Sequence, residues 1–456
     1  MALPTETVST DRPSAVPGGF REIVPLAFPV VLTQLSATAM GVVDSAMVGR
    51  LGPTELAAVG FSSVWIWTII SIFYGTASGV QTFVSQADGA GDPRSCGSWA
   101  WQGLYALVPA VLVVVTLVWA QVENAVALLG PSAEMQVAAT AYVRTRIFGE
   151  LGFILLMVLS SFFRGIGDTR TPLYVSLGAN AVNAILDYGL IFGELGMPRW
   201  GVAGAGVATS VGNCVAAAVL FAAFRRRSIR RRYRTEPIAP SAKQIRRFLR
   251  TGAPIGGQWC IGMTSFALFT TVVARMGDTS MAASQAFVML LSLSFMQAVG
   301  ISIASSTLVG RYVGAGNPEA VRRSFRSSLV LGAGVAGIVA VLFVTVPGAL
   351  LRVFTDDPGV VALGRPLLLL GALFQLFDAF AIIAEGALRG AGDTRWPFAI
   401  ETILGWGFFI PLAYTLGVVL EGGLTGAWIG GLIYIAVLAL VLVRRFQSGA
   451  WKRIQI

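Results

Sequence analysis

Three aspartates inside long apolar segments are the residues of this chain that point most directly to chemistry. Asp44, Asp187 and Asp378 each lie in a stretch that is long and apolar enough to cross a membrane. An aspartate at the bilayer centre costs about 2.5–3.5 kcal/mol on insertion scales, and such residues face the protein interior or a cavity. A deprotonated carboxylate attracts a cation, and protonation releases it. We therefore expect these side chains to exchange H⁺ or another cation for a bound ligand.

Asp187 has polar neighbours that fit this role. Asn183 and Asn180 precede it by four and seven residues, so the three side chains project from one face of a helix. An apolar helix in lipid would not carry such a stripe without a polar partner in the interior. The chain contains no histidine, so proton transfer falls to carboxylates. Aspartates that only hydrogen-bond to neighbouring helices, and so serve stability alone, remain the alternative.

The segment that carries Asp44 also contains a candidate hinge. A proline inside a membrane span frees backbone carbonyls and permits bending, and we predict that Pro29 is the bending point. Met40 and Met47 flank Asp44, and methionine lines apolar pockets that adapt to different ligands. We predict that these two residues, together with Gln34, line a substrate cavity.

The chain is an internal repeat. The segment RGIGDTRTP at 164–172 recurs as RGAGDTRWP at 389–397, and GAGDP at 89–93 recurs as GAGNP at 314–318, both at an offset of 225 positions. Two similar halves in a membrane protein indicate a transporter that rocks about a site at their interface. The three aspartates are not duplicated, because their equivalents in the other half are Phe269, Leu412 and Phe153. Packing that one half achieves with Phe or Leu does not obviously require Asp in the other.

Other charged residues favour structural roles. In the repeated turns we predict ion pairs that join Asp168 to Arg164 and Arg170, and Asp393 to Arg389 and Arg395. The spacing i,i+4 predicts two further pairs, Arg146 with Glu150 and Glu385 with Arg389.

Composition identifies lipid as the solvent of this chain. Hydrophobic residues make up 55% of the sequence and charged residues 12%, whereas soluble domains carry about 25% charged residues. We predict an all-α polytopic membrane protein with twelve transmembrane helices in two pseudo-symmetric six-helix bundles. No arrangement of nucleophile, base and orienting residue is visible, so we do not expect an enzyme.

The basic residues divide the chain and orient it. Of the 33 lysines and arginines, 11 lie between residues 225 and 250. A basic loop between apolar spans is what the positive-inside rule predicts for a cytoplasmic loop, so we do not interpret it as a nucleic-acid-binding segment. We predict that both termini are cytoplasmic, in a bacterial plasma (inner) membrane. The predicted units are a disordered tail at 1–20, a six-helix lobe at 21–224, a basic cytoplasmic linker at 225–247, a second six-helix lobe at 248–446 and a tail at 447–456.

Several segments together resemble the multidrug and toxic compound extrusion (MATE) family, and the sequence looks closest to its DinF-like branch. They are VDSAMVGRLG at 43–52, NAILDYGLIFG at 183–193, FDAFAIIAEGALRG at 377–390 and the paired turns. The resemblance covers about residues 20–445. It implies antiport of organic, often cationic, compounds against H⁺ or Na⁺.

The resemblance also implies roles for single residues. Asp44 corresponds to the family's aspartate in the first span and Pro29 to its bending proline. Asn183 and Asp187 correspond to the Asn/Asp pair in the fifth span of DinF-like members, and Asp378 to the aspartate of sodium-coupled members. Those sodium-coupled members also use a glutamate in the seventh span, where this chain has Gly262. The departure weakens the case for a sodium site in the C-terminal half.

We therefore predict a secondary active multidrug exporter that alternates access between two lobes and couples to H⁺ through Asp44 and Asp187. Its partners would be small cationic or amphipathic organic compounds and the lipid bilayer, without cofactor or nucleic acid, and it would act as a monomer. Two alternatives stay open. One is Na⁺ coupling through Asp378, and the other is a flippase for a lipid-linked substrate.

Overall fold

A computed structural model describes residues 16–128, 130, 132–355 and 357–454 of the chain. All the regular structure in the described residues is helical. The helices are α1 (Phe20–Gly49), α2 (Pro53–Gly89), α3 (Pro93–Leu128), α4 (Ala133–Arg146), α5 (Gly149–Gly165), α6 (Arg170–Phe192), α7 (Val202–Phe224), α8 (Arg227–Tyr233), α9 (Ala242–Ala274), α10 (Asp278–Gly314), α11 (Pro318–Thr345), α12 (Pro347–Arg352), α13 (Pro358–Gly390), α14 (Arg395–Val419) and α15 (Gly423–Gln447).

Twelve membrane spans follow from these helices. Eleven helices are individually long and apolar enough to cross a bilayer, and the twelfth span is the bent pair α4–α5. The predicted all-α fold with twelve spans is therefore confirmed. We refer to α1–α7 as the N-terminal lobe and to α9–α15 as the C-terminal lobe.

The fourth span is broken, which the sequence did not predict. The axis turns by 44° between α4 and α5. Gly149 begins α5 against α7, where an added Cβ would lie 2.5 Å from the Cα of Ser210. This close approach of two backbones turns the chain toward α7 at the break. In the other lobe, α14 is irregular, with π-helical turns at Gly405–Phe409 and Thr415–Val419 on either side of Pro411.

Helix α1 contacts both lobes. Its first turns pack Ile23 and Ala27 against Ile301 and Leu308 of α10, whereas its second half lies beside α6. The helix runs without a break through Pro29, which is buried, and Thr33 donates a hydrogen bond of 2.8 Å to the Pro29 carbonyl. A single helix therefore crosses from one lobe to the other.

The lobes meet tightly at one end of α2 and α10. An added Cβ at Gly89 would lie 1.9 Å from the carbonyl oxygen of Arg311, and one at Gly314 would lie 2.0 Å from that of Gln86. The two contacts are related by the repeat offset. An ion pair of 3.3 Å between Arg311 and Asp88 joins the lobes at the same end. This is the end whose loops the basic residues assign to the cytoplasm.

The segment between the lobes is ordered against the N-terminal lobe. Helix α8 ends in the buried Tyr233, whose ring lies 5.9 Å from that of Phe162. Thr235 then donates a hydrogen bond of 2.7 Å to the carbonyl of Phe224. Most of the predicted N-terminal tail lies outside the described residues. Of the rest, Pro17 accepts a hydrogen bond of 3.0 Å from Arg323 in α11.

Candidate functional site

The carboxyl groups of Asp44 and Asp187 lie within hydrogen-bonding range of each other, between α1 and α6. Asp187 is completely buried, and its Oδ2 accepts a hydrogen bond of 3.0 Å from Asn183. The Oδ1 atoms of both aspartates are buried and have no hydrogen-bond partner among the described residues. Two carboxylates this close repel each other when both are charged, so the pair is suited to share a proton.

The polar stripe of α6 finds its partner in α1. Asn180 donates hydrogen bonds to the hydroxyl of Ser36 at 2.7 Å and to the Ser36 carbonyl at 3.2 Å. Asn183 and Asp187 follow one and two turns later in α6, where they lie beside Asp44 of α1. The structure thus brings together the four polar residues that the sequence singled out in the N-terminal half.

An arginine completes this cluster. Arg146, the last residue of α4, forms an ion pair with Glu150, as the spacing predicts, and its charge also acts on Asp44. Tyr142, one turn earlier in α4, lies beside Arg146 and reaches Ser63 of α2 at 3.5 Å. The sequence gave no reason to place Arg146 near Asp44, because that contact depends on the break between α4 and α5.

A large cavity lies elsewhere, between the lobes and mainly within the C-terminal one. It has a volume of about 530 Å³ and is lined by Asp378, Glu385 and Arg389 of α13 and by Glu401 of α14. Glu401 accepts a hydrogen bond of 3.3 Å from Gln258 of α9. Aromatic side chains cover much of the remaining wall, namely Tyr74, Trp259, Phe266, Phe269, Phe295 and Trp428.

The predicted site residues therefore fall into two groups. Asp378 lines the cavity, whereas Asp44 and Asp187 lie outside it in the N-terminal lobe. Met40, Met47 and Gln34 are half-buried and do not line this cavity, and Met47 packs against the hydrophobic core of the N-terminal lobe. Glu401 also lines the cavity, although it was not singled out from the sequence.

Comparison with known proteins identifies the family to which this architecture belongs. The family model MatE matches the chain twice, at residues 29–189 and at 254–415, in line with the internal repeat. The chain belongs to the MatE family. It is 31% identical over 442 residues to the "Probable multidrug resistance protein NorM" of Thermotoga maritima, covering 96% of this chain and 94% of that protein. It is also 31% identical over 431 residues to the "Multidrug resistance protein NorM" of Burkholderia vietnamiensis, covering 92% of each.

Solved structures share the fold of this MatE chain. The eukaryotic MATE transporter AtDTX14 superposes with a TM-score of 0.84 at 22% identity, covering 95% of this chain and 96% of its own. An outward-facing multidrug resistance MATE family transporter of the MOP superfamily superposes with a TM-score of 0.88 at 20% identity, covering 96% and 98%. The match to the MatE family and the similarity to the NorM proteins confirm a transporter rather than an enzyme. The relatives quoted carry the name NorM, so the DinF-like branch stays a prediction.

The ion pairs predicted within the repeated turns of this MatE chain, two for Asp168 and two for Asp393, are wrong. Asp168 accepts hydrogen bonds from the amide and hydroxyl of Thr171, at 3.0 and 2.6 Å, and thereby caps the start of α6. Asp393 pairs at 2.9 Å with Arg445 of α15. The Asp168 carboxylate is already satisfied by donors at the helix start, so its flanking arginines are not needed as partners. The predicted pair of Glu385 with Arg389 is confirmed.

Proposed function

We propose that this chain exports small organic cations across a bacterial inner membrane in exchange for protons, with Asp44 and Asp187 as the coupling residues. Two relatives above 30% identity are named multidrug resistance proteins, which supports the export of diverse compounds. We also propose that both termini lie in the cytoplasm, as the distribution of basic residues suggests. We further propose that the protein acts as a monomer.

The observation that carries the proton coupling is the contact of Asp44 with Asp187, with Asn183 as a fixed donor to the latter. Two neighbouring carboxyl groups can hold one proton in common, and the positive charge of Arg146 acts on the negative charge that remains. Loss of the shared proton leaves two carboxylates facing each other. Their repulsion would favour a different arrangement of α1 and α6.

Helix α1 offers the means to transmit this change. It carries Asp44 in the N-terminal lobe, while its first turns pack against α10 of the C-terminal lobe. A bend at the buried Pro29 would move one part of α1 relative to the other, because proline removes one hydrogen bond of the helical ladder. Proton binding would then bias which face of the membrane the cavity opens to, which is the coupling that an antiporter needs.

The test uses purified protein in liposomes with ethidium as the probe dye. A pH gradient and a sodium gradient are imposed separately, and the initial rate of dye movement is recorded. We expect the pH gradient alone to drive movement, and Asp44→Asn to abolish it while the variant still purifies as a folded species. An Asp44→Asn variant that pumps at the wild-type rate would remove this pair from the coupling mechanism.

Sodium coupling through Asp378 is the second candidate, and one observation favours it. Asp378 lines the cavity together with Glu385 and Glu401, so this wall is rich in acidic groups although Gly262 replaces the family's glutamate. Dye movement driven only by sodium, and lost in Asp378→Asn, would favour this candidate. Movement under neither gradient would overturn the export proposal and direct the same assay to a lipid-linked substrate.

A further inference from the structure

Arg164, at the end of α5, is a buried arginine without a counter-ion. Its residue surface is 6% exposed, and it lines the cavity between the lobes. Among the described residues no carboxylate forms an ion pair with its guanidinium, and no side chain or carbonyl accepts a hydrogen bond from it. Its backbone carbonyl accepts hydrogen bonds from the hydroxyl of Thr307 and from the amide of Gly167, both at 3.0 Å.

The repeat supplies a control for this observation. Arg389 stands 225 residues after Arg164 and lines the same cavity, but it forms an ion pair with Glu385, four residues before it. The position equivalent to Glu385 in the first half is Ser160. The C-terminal lobe therefore carries its own counter-ion for the arginine, and the N-terminal lobe does not.

A buried charge without a partner is costly, and natural proteins pair such charges or use them to bind ligands. The guanidinium of Arg164 remains in contact with the cavity. The N-terminal lobe lines the rest of its share of the cavity with neutral groups, among them Tyr74, Ser78, Gln81 and Ser161. These groups leave the charge uncompensated. A planar guanidinium matches a carboxylate best, because both can form two parallel hydrogen bonds.

The C-terminal lobe contributes groups of the reverse polarity to this cavity. Asp378 and Glu401 of the C-terminal lobe line the same cavity, and neither forms an ion pair among the described residues. Aromatic side chains such as Trp259 and Phe266 lie in the same wall. The cavity thus offers a cation from one lobe, carboxyl groups from the other and aromatic surface for a flat ligand.

We infer that Arg164 binds a carboxylate of the transported compound. The inference rests on the proposed function, because it takes this cavity as the substrate site. It assigns the N-terminal lobe a part in recognising that carboxylate.

A matched pair of dyes tests the inference. Rhodamine 110 carries a free carboxylate, and rhodamine 123 is its methyl ester with the same ring system. Equilibrium binding to purified detergent-solubilised protein is followed by fluorescence anisotropy, with no gradient present. We expect the wild type to bind the acid about tenfold or more tightly than the ester, the usual strength of a hydrogen-bonded charge pair. Arg164→Gln should bring the ratio of the two Kd values close to one.

A second pair of variants removes the ambiguity of a damaged fold. Ser161 lies three residues before Arg164 and lines the cavity, so Ser161→Glu would offer the arginine an internal carboxylate at i,i+3. Ser161→Gln is its neutral control of the same shape. We expect the acid-to-ester preference to fall in Ser161→Glu relative to Ser161→Gln.

Two results would overturn the inference. One is a wild type that binds the acid no more tightly than the ester, or binds neither dye. The other is a preference for the acid that survives both Arg164→Gln and Ser161→Glu. Neither result bears on proton coupling, because binding is measured without a gradient. Failure of this inference is therefore distinguishable from failure of ethidium export.

Discussion

Thr307 of the C-terminal lobe donates a hydrogen bond of 3.0 Å to the backbone carbonyl of Arg164 in the N-terminal lobe. The equivalent bond in the repeat has the lobes exchanged. Thr82 of the N-terminal lobe donates to the backbone carbonyl of Arg389 in the C-terminal lobe, also at 3.0 Å. The repeat is thus expressed in the lobe interface itself, which is self-complementary like that of a two-fold dimer. Breaking this interface should open the end of the molecule that the basic residues assign to the cytoplasm.

Replacing Gly89 by alanine should open the lobes at that end. The new Cβ would lie 1.9 Å from the carbonyl oxygen of Arg311, and backbone atoms cannot give way cheaply. Overpacking of this kind costs about 1–3 kcal/mol, which shifts a two-state equilibrium roughly five- to 150-fold. Spin labels at the exposed positions 94 and 319, in a cysteine-free background, would report a longer distance in Gly89→Ala than in the wild type.

Gly60→Ala is the control for this experiment. Gly60 lies in the same helix, and nothing stands within 4 Å of an added Cβ there. We expect its distance distribution to match the wild type. A Gly89→Ala variant that also keeps the wild-type distribution would mean that the contact between α2 and α10 does not hold the lobes together.

Asn183→Leu should slow dye export more than Asn180→Leu does. Asn183 donates its hydrogen bond to the Asp187 carboxyl, whereas Asn180 donates to Ser36. A hydrogen bond to a charged group contributes about 1.5–3 kcal/mol, twice that of a neutral one. Initial rates of ethidium movement under a fixed pH gradient would separate the two variants. Equal losses would show that the stripe acts only through its packing against α1.

The amino-acid sequence predicts what is local or periodic and misses what depends on tertiary contacts. Asp44, Asp187 and Asn183 could be selected because a polar residue in an apolar span is costly wherever it lies. The pair of Glu150 with Arg146 could be predicted because four residues make one helical turn. The proximity of Arg146 to Asp44 could not, since it follows from a break of 44° that no proline marks.

A double-mutant cycle should show that Arg146 and Glu150 depend on each other. Glu150 is 2% exposed, so removing its partner leaves a buried charge, a change that costs about 3–5 kcal/mol. We expect Arg146→Met and Glu150→Leu each to lower thermal stability markedly, and the double variant to lose less than the sum of the two. Strictly additive losses in a thermal unfolding assay would argue that the pair contributes nothing beyond its separate packing.

The last prediction concerns the ion pair that local reasoning assigned wrongly. Asp393 is paired with Arg445, 52 residues away, and the Arg445 guanidinium also lies 4.9 Å from the ring centre of Trp396. Asp393 is buried, so Arg445→Gln should lower the free energy of unfolding by about 1–3 kcal/mol through the lost charged hydrogen bond. Arg395, the neighbour first expected to pair with Asp393, forms no ion pair among the described residues and is exposed. Arg395→Gln should therefore change stability by less than about 0.5 kcal/mol, as is usual for an exposed position. Thermal unfolding of both variants in detergent decides the matter, because a reversed order would restore the local pairing within the turn.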